Sequence, residues 1–203
     1  IDVATDPRVF IPRPETEILV QTAVNFLVSR PEPLVADLGT GTGIIAISVV
    51  AEVPGSRAVA VDVSEDGLIL AERNAREAGV ENLITLVHGD MLGGIMGRGP
   101  FDAVLSNPPY IPSGDIDALE PEVRDFEPRR ALDGGEDGLG FLYALAEGAH
   151  EHLKPGGLLA MECEGDQADM VAEKLENQKH FINVEVLKDL AGKKRIVKAI
   201  YAS

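Results

Sequence analysis

The sequence predicts an α/β fold built on a mostly parallel sheet. Short apolar stretches alternate with helix-like ones along most of the chain, the pattern of βαβ units. The first apolar stretch ends in a glycine-rich turn that opens directly into a second apolar run. Hydrophobic residues make up 45% and charged residues 26%, which suits a chain folding around a core and excludes a disordered one.

At the front, Pro14 suits a first helical position and Glu15 and Glu17 suit that helix's positive end; the helix should run to about Ser29. Leu34–Leu38 is the first strand. Ile44 to Val53 is apolar on nearly all sides and reads as a buried helix stopping at Pro54-Gly55. Ala58–Asp62 is the second strand. Ser64 can cap the next helix, whose Leu68, Ala71, Ala75 and Ala78 recur at helical spacing before Gly79. Ile84–Val87 and Phe101–Ser106 are the third and fourth strands. Residues 107–136 then hold five prolines and many acids with little periodicity, a long loop of the functional kind. A helix should span Leu139 to Leu153, closed by Lys154-Pro155-Gly156-Gly157. Leu158–Cys163 is the fifth strand and residues 167–178 are helical. Ile182–Leu187 and Arg195–Tyr201 form a closing pair, with Lys193, Lys194 and Arg195 at a solvated tip.

The chain of 203 residues is about one domain, large enough to hold a core without staples. Its single cysteine excludes an internal disulfide framework and fits a reducing, cytoplasmic setting; at the end of an apolar strand, Cys163 reads as core. No apolar run reaches the ~18 residues of a membrane span, and no signal peptide is visible. The first residue is Ile1, compatible with a start inside a longer product. Net charge is −16, so the chain presents a repulsive mean field to nucleic acid. The four histidines, His88, His150, His152 and His180, show no metal-site spacing, and no metal is expected.

The turn reads Asp37-Leu38-Gly39-Thr40-Gly41-Thr42-Gly43. Its glycines allow a tight bend and close approach of a ligand, and the helix behind it offers free N–H groups. A dinucleotide site needs a glycine three residues after the second, and Ile44 stands there. A nicotinamide oxidoreductase is thereby disfavoured. An acidic residue followed by G-x-G-x-G suits S-adenosylmethionine, which has no pyrophosphate to cradle. Asp62, at the end of the second strand, can accept ribose hydroxyls. Asp90 follows the third strand where adenine should lie, and Met91 can pack on the base.

Asn107-Pro108-Pro109-Tyr110 follows the fourth strand, at the carboxyl edge where ligands bind in such sheets. Two prolines remove two N–H donors, leaving carbonyls and the Asn107 side-chain oxygen as acceptors. Those acceptors suit a planar –NH₂ group, and Tyr110 adds a packing face. Such a nitrogen is a poor nucleophile because its lone pair is delocalised. Acceptors on both N–H bonds favour the pyramidal geometry that frees it, and no strong general base is required before transfer. A non-catalytic binding module would show a broken clamp; this one is intact.

The two motifs together resemble the class I S-adenosylmethionine-dependent methyltransferases that act on planar nitrogens. Three further segments resemble one branch, the release-factor glutamine N5-methyltransferases: Ile11-Pro12-Arg13-Pro14-Glu15-Thr16-Glu17, Phe126-Glu127-Pro128-Arg129-Arg130-Ala131-Leu132, and Lys188-Asp189-Leu190-Ala191-Gly192 with Arg195. The resemblance runs from about Asp6 to about Ala199. It implies a Rossmann-like, seven-stranded, mostly parallel sheet with the last strand antiparallel and helices on both faces. It implies S-adenosylmethionine as cofactor, S-adenosylhomocysteine as product, and the glutamine of a Gly-Gly-Gln motif in peptide chain release factors as substrate. By match, Gly39, Thr40, Gly41, Thr42, Gly43, Asp62, Asp90, Met91 and Asn107 contact the cofactor; Asn107, Pro108, Pro109 and Tyr110 hold the glutamine and form the catalytic clamp. The match departs at Met91, where an aromatic residue is common. Residues 1–203 are expected to form a single catalytic domain, without the family's usual small N-terminal helical domain, acting as a cytoplasmic monomer away from membranes.

The competing reading is an N-methyltransferase for a nucleic-acid base amino group or another protein glutamine. Between Gly114 and Asp137 stand nine acidic and three basic residues, a charge that repels phosphates at short range and favours a protein substrate. Glu162, at the end of the fifth strand, is placed to meet substrate or the clamp loop, or to cap a turn. Arg13 and Glu15 are expected to hold the first helix over the cofactor pocket.

Overall fold

A computed structural model describes all residues 1–203. Seven strands form one sheet: β1 Leu34–Leu38, β2 Arg57–Asp62, β3 Ile84–His88, β4 Phe101–Ser106, β5 Leu153–Glu162, β6 Phe181–Lys188 and β7 Lys194–Tyr201. Their spatial order is β3-β2-β1-β4-β5-β7-β6. The first five are parallel to one another, and β7 runs antiparallel between β5 and β6. The strand order reverses between β1 and β4, so the carboxyl ends of those strands open the crevice where ligands bind in open α/β sheets.

The helices are α1 Thr16–Leu27, α2 Ile44–Glu52, α3 Glu65–Glu77, α4 Pro121–Arg124, α5 Gly140–Gly148 and α6 Gln167–Glu176. Side chains alternate across the sheet and split the core between its faces. Val35, Ala103, Leu105, Leu158 and Ala160 join Leu19, Ala23 and Leu27 of α1 on one face. Ala36, Val104, Leu159 and Met161 join Leu142 and Leu145 of α5 and Val171 of α6 on the other. Truncating one such buried leucine to alanine costs about 2–5 kcal/mol. The same alternation puts Glu162, two residues beyond Ala160, on the face that carries α1.

The structure corrects several expectations. Pro14 lies in the turn before α1, not at its first position; the helix opens at Thr16. In α3 the buried stripe is Leu70, Ala71, Asn74 and Ala75, while Ala78 lies past the helix and is exposed. Asn74 can face inward because its amide bonds the Ala4 and Thr42 carbonyls. The helix from residue 139 stops at Gly148, and Leu153 already begins β5. The strand runs through Pro155-Gly156-Gly157 because an irregularity between Phe101 and Ala103 absorbs the extra residues. Residues 107–136 include α4 and two other short helical turns. Ser64 does cap α3, accepting from the Gly67 N–H at 3.2 Å. Cys163 is fully buried. No helix is long and apolar enough to cross a membrane.

Candidate active site

The glycine turn is held by its own strand neighbours. The Gly39 and Thr40 N–H groups both donate to the Val61 carbonyl at 2.9 Å. Asp62 Oδ2 accepts from Gly41 N at 2.7 Å, and its Oδ1 accepts from Ser64 N at 2.8 Å. The carboxylate therefore ties the turn to the end of β2, and each oxygen still has a lone pair for a ligand. Gly39, Gly41 and Gly43 all have left-handed backbone, with φ of +72°, +53° and +84°. At Gly43 a Cβ would also stand 3.0 Å from the Ala71 and Ile47 side chains, so the conformation and the space both demand glycine.

Behind the turn, Asp37 is fully buried. Its Oδ2 accepts from Thr40 Oγ1 at 2.6 Å and Ala46 N at 3.1 Å, while Oδ1 has no partner. Burial pushes its carboxyl up to about 6, against those two bonds. Thr42 also carries a buried hydroxyl with no partner.

The clamp is held from a distance. The Asn107 Nδ2 donates to Thr16 Oγ1 at 3.3 Å. The Thr16 hydroxyl donates to Glu162 Oε2 at 2.8 Å, and the Tyr110 hydroxyl donates to Glu162 Oε1 at 3.3 Å. Gln167 Nε2 donates to the Tyr110 carbonyl at 2.7 Å. Ile111 pairs with the 132–134 stretch through Ile111 N to Leu132 O and Gly134 N to Ile111 O. A Cβ at Gly138 would lie 2.2 Å from the Tyr110 carbonyl, and one at Gly134 would lie 2.8 Å from the Pro109 carbonyl. Burial first, then the neighbouring carboxylates, raises the Tyr110 phenol far above its ordinary value. Glu162 is raised mainly by burial, and its bonds from Thr16 and Tyr110 oppose the shift.

Turn and clamp face one shared cleft. Gly39, Thr40, Gly41, Thr42, Asp62, Asp90 and Met91 line it on one side, with Asn107 to Tyr110 on the other. Gly43 is not in the lining; it shapes the turn from behind. Asp90 is exposed at the rim. Met91 has a left-handed φ of +39°, and its Cε comes within 3.6 Å of where a Gly39 Cβ would stand.

A roof crosses this cleft. Val9, Phe10 and Pro12 line it from the N-terminal side, and Pro128, Arg130 and Leu132 from the long loop. The two halves are joined by an ion pair between Arg13 and the buried Glu127. Arg130 reaches Ser64 Oγ at 2.6 Å. Glu15 pairs with Arg195 of β7 at 3.4 Å, and neither Arg13 nor Glu15 lines the cleft itself. Arg195 is not part of a solvated tip: its side chain is only 11% exposed and also meets Glu164 and Asp189 at 3.2 and 3.0 Å. Three carboxylates around one guanidinium explain its burial.

Sequence reasoning did not single out Thr16, Glu127 or Gln167 individually, nor Gly134 and Gly138. Their contacts span 57 to 146 residues for Gln167, Thr16 and Glu127, and no local spacing signals them.

The fold and the shared cleft define a methyltransferase, and the methyltransferase small domain family model matches residues 3–119. A release factor glutamine methyltransferase of Gloeobacter violaceus is 44% identical over 97% of this chain and 68% of its own length. One from Moorella thermoacetica is 40% identical over 96% and 68%. A solved release-factor-specific protein-(glutamine-N5) methyltransferase from Alicyclobacillus acidocaldarius superposes with a TM-score of 0.60 at 30% identity, covering 100% of both chains. A Pyrococcus furiosus methyltransferase gives 0.72 at 20% identity, covering 100% of this chain and 89% of that one, which speaks for the fold alone. The chain belongs to the release factor glutamine methyltransferase family. It spans about two thirds of the length of these two curated relatives.

Proposed function

We propose that this chain transfers the methyl group of S-adenosylmethionine to the side-chain amide nitrogen of the Gly-Gly-Gln glutamine in peptide chain release factors. The observation that carries this is the single cleft shared by the glycine turn and the Asn107–Tyr110 clamp. Its donors and acceptors fit the cofactor. Asp62 keeps lone pairs toward ribose hydroxyls, Thr42 has a buried hydroxyl without partner, and Met91 lays an apolar side chain beside Gly39. Thr40, Gly41 and Asp90 complete that wall, with Gly43 setting its bend.

When bound, the cofactor supplies an electrophilic methyl carbon. The chain's own residues supply position. Asn107 Oδ1 and the Pro108 carbonyl accept the two N–H bonds of the substrate amide; the Pro108 carbonyl is free of backbone bonding. The Pro109 carbonyl faces Gly134 instead. Two acceptors on one nitrogen favour its pyramidal form and aim its lone pair, a preorganised effect worth about 10²–10³ in rate. Tyr110 and the roof exclude water from the amide. The nitrogen gains one carbon bond and releases one proton after transfer, so no base is needed beforehand. The acidic segment from Gly114 to Asp137 beside the mouth favours a protein partner over a polyanion.

Labelled S-adenosylmethionine with a release factor and its Gln→Ala variant, read by mass spectrometry, tests the reading. One added methyl on the Gly-Gly-Gln peptide, absent from the variant, is expected. Label in nucleic acid and none in release factor would overturn it.

A further inference from the structure

We propose that Thr16 and Glu162 are positioning residues that fix which way the Asn107 amide points, and so make the clamp select an –NH₂ group over a carbonyl or carboxylate. This rests on the methyl-transfer reading above for its substrate, but its geometry stands alone.

An ionised carboxylate only accepts hydrogen bonds. Glu162 Oε2 lies 2.8 Å from Thr16 Oγ1, so that hydroxyl spends its single proton on Glu162. Thr16 oxygen then has only lone pairs left to offer its other neighbour, Asn107, 3.3 Å away. The amide must present Nδ2 to Thr16. Its Oδ1 is thereby turned away from Thr16 and left as the acceptor in the lined cleft. Were the amide reversed, Nδ2 would face the substrate and would favour a carbonyl or carboxylate oxygen.

Three facts make this more than a packing arrangement. Thr16 is 4% exposed and Glu162 1% exposed, so water does not replace either partner. The same carboxylate holds the Tyr110 hydroxyl at 3.3 Å, so one group sets both ends of the clamp. And Glu162 makes no salt bridge: Arg195, whose charge still acts on it, spends its guanidinium on Glu15, Glu164 and Asp189. A buried carboxylate without a paired cation is costly, and what its two hydrogen bonds hold here is the clamp.

Thr16→Val keeps the shape and removes the hydroxyl; Thr16→Ser keeps the hydroxyl. In Thr16→Val, kcat for release-factor methylation should fall about 10–100-fold with the Kd for S-adenosylmethionine within about 2-fold, the size expected when one oriented polar contact is lost. Thr16→Ser should restore most of kcat. Independently of any substrate, the Asn107 side-chain amide protons, assigned by their loss in Asn107→Asp, should be protected from solvent exchange in the wild-type protein and unprotected in Thr16→Val. Unchanged kcat and unchanged exchange in Thr16→Val overturn the proposal, as does a Thr16→Ser variant no better than Thr16→Val. If the wild-type protein transfers nothing to release factor, the functional reading fails and the exchange measurement alone decides the positioning role.

Discussion

The two walls of the cleft are built by different means. The glycine-turn wall, the one we propose holds the cofactor, is nearly local: between Asp37 and Ala71 the chain supplies the turn, the strand carbonyl that receives Gly39 and Thr40, the Asp62 carboxylate and the helix cap, and only Asp90 and Met91 come from beyond, at the end of the next strand. The clamp wall is assembled from afar, its four residues held by Thr16, Glu162, Gln167 and the Gly134–Gly138 stretch. A ligand common to a whole superfamily can be held by one βαβ unit. A substrate group that must be oriented to within a hydrogen bond needs supports from several elements, because each fixes a different degree of freedom.

The contrast can be broken by cutting each wall alone. Asn107→Ala should show the largest effect: methyl transfer down about 10²–10³-fold or more, with S-adenosylmethionine affinity nearly unchanged by calorimetry. Loss of both together would mean the walls are not separable. Gly138→Ala drives a Cβ to 2.2 Å from the Tyr110 carbonyl at a backbone φ of +73°. It should cost about 1–3 kcal/mol in denaturant unfolding and lower transfer more than cofactor binding. Asp62→Ala should do the reverse, weakening cofactor binding about 10–100-fold as the Gly41 and Ser64 bonds are lost, with the clamp intact. An unchanged Kd would remove Asp62 from the cofactor wall.

The smallest effect is a pH effect on the cofactor wall. Burial raises the Asp37 carboxyl from 3.8 to about 6 in the folded chain. The folded state therefore holds this proton more tightly than the unfolded one. Its stabilising contribution is complete below about pH 3.8 and is lost as pH rises through about 6. Asp37→Asn removes the buried charge and can keep the Thr40 and Ala46 bonds. It should raise the melting temperature at pH 8 by a few degrees and flatten this part of the profile; a lower melting temperature at pH 8 would show that the charge is compensated.

The same contrast explains what the sequence made legible. Most strand positions, the glycine turn and the clamp sequence are contiguous signals, and apart from the early start of β5 the structure has them where the apolar runs place them. The seven strands and the antiparallel last one came through resemblance, and the strand order was not legible, since nothing local says that β7 inserts between β5 and β6. The face of α3 was misread because Asn74, polar, is buried on carbonyls while Ala78, apolar, lies beyond the helix end. Arg195 was misread for a similar reason. A basic residue near a hairpin tip looks solvated until Glu15, over 150 residues earlier, is brought beside it. Apolar patterning reports burial of apolar groups and is silent on polar groups buried in company.

The entry into α1 is pinned three times in four residues: Arg13 to Glu127, Glu15 to Arg195 and Thr16 to Glu162. During synthesis those partners leave the ribosome long after the stretch itself, Arg195 last of all. The glycine bend can form as soon as the early strands pair, but the clamp cannot lock until Glu162 and Gln167 have emerged. A nascent chain halted before Glu162 would carry a folded glycine turn beside an Asn107 amide still free to rotate.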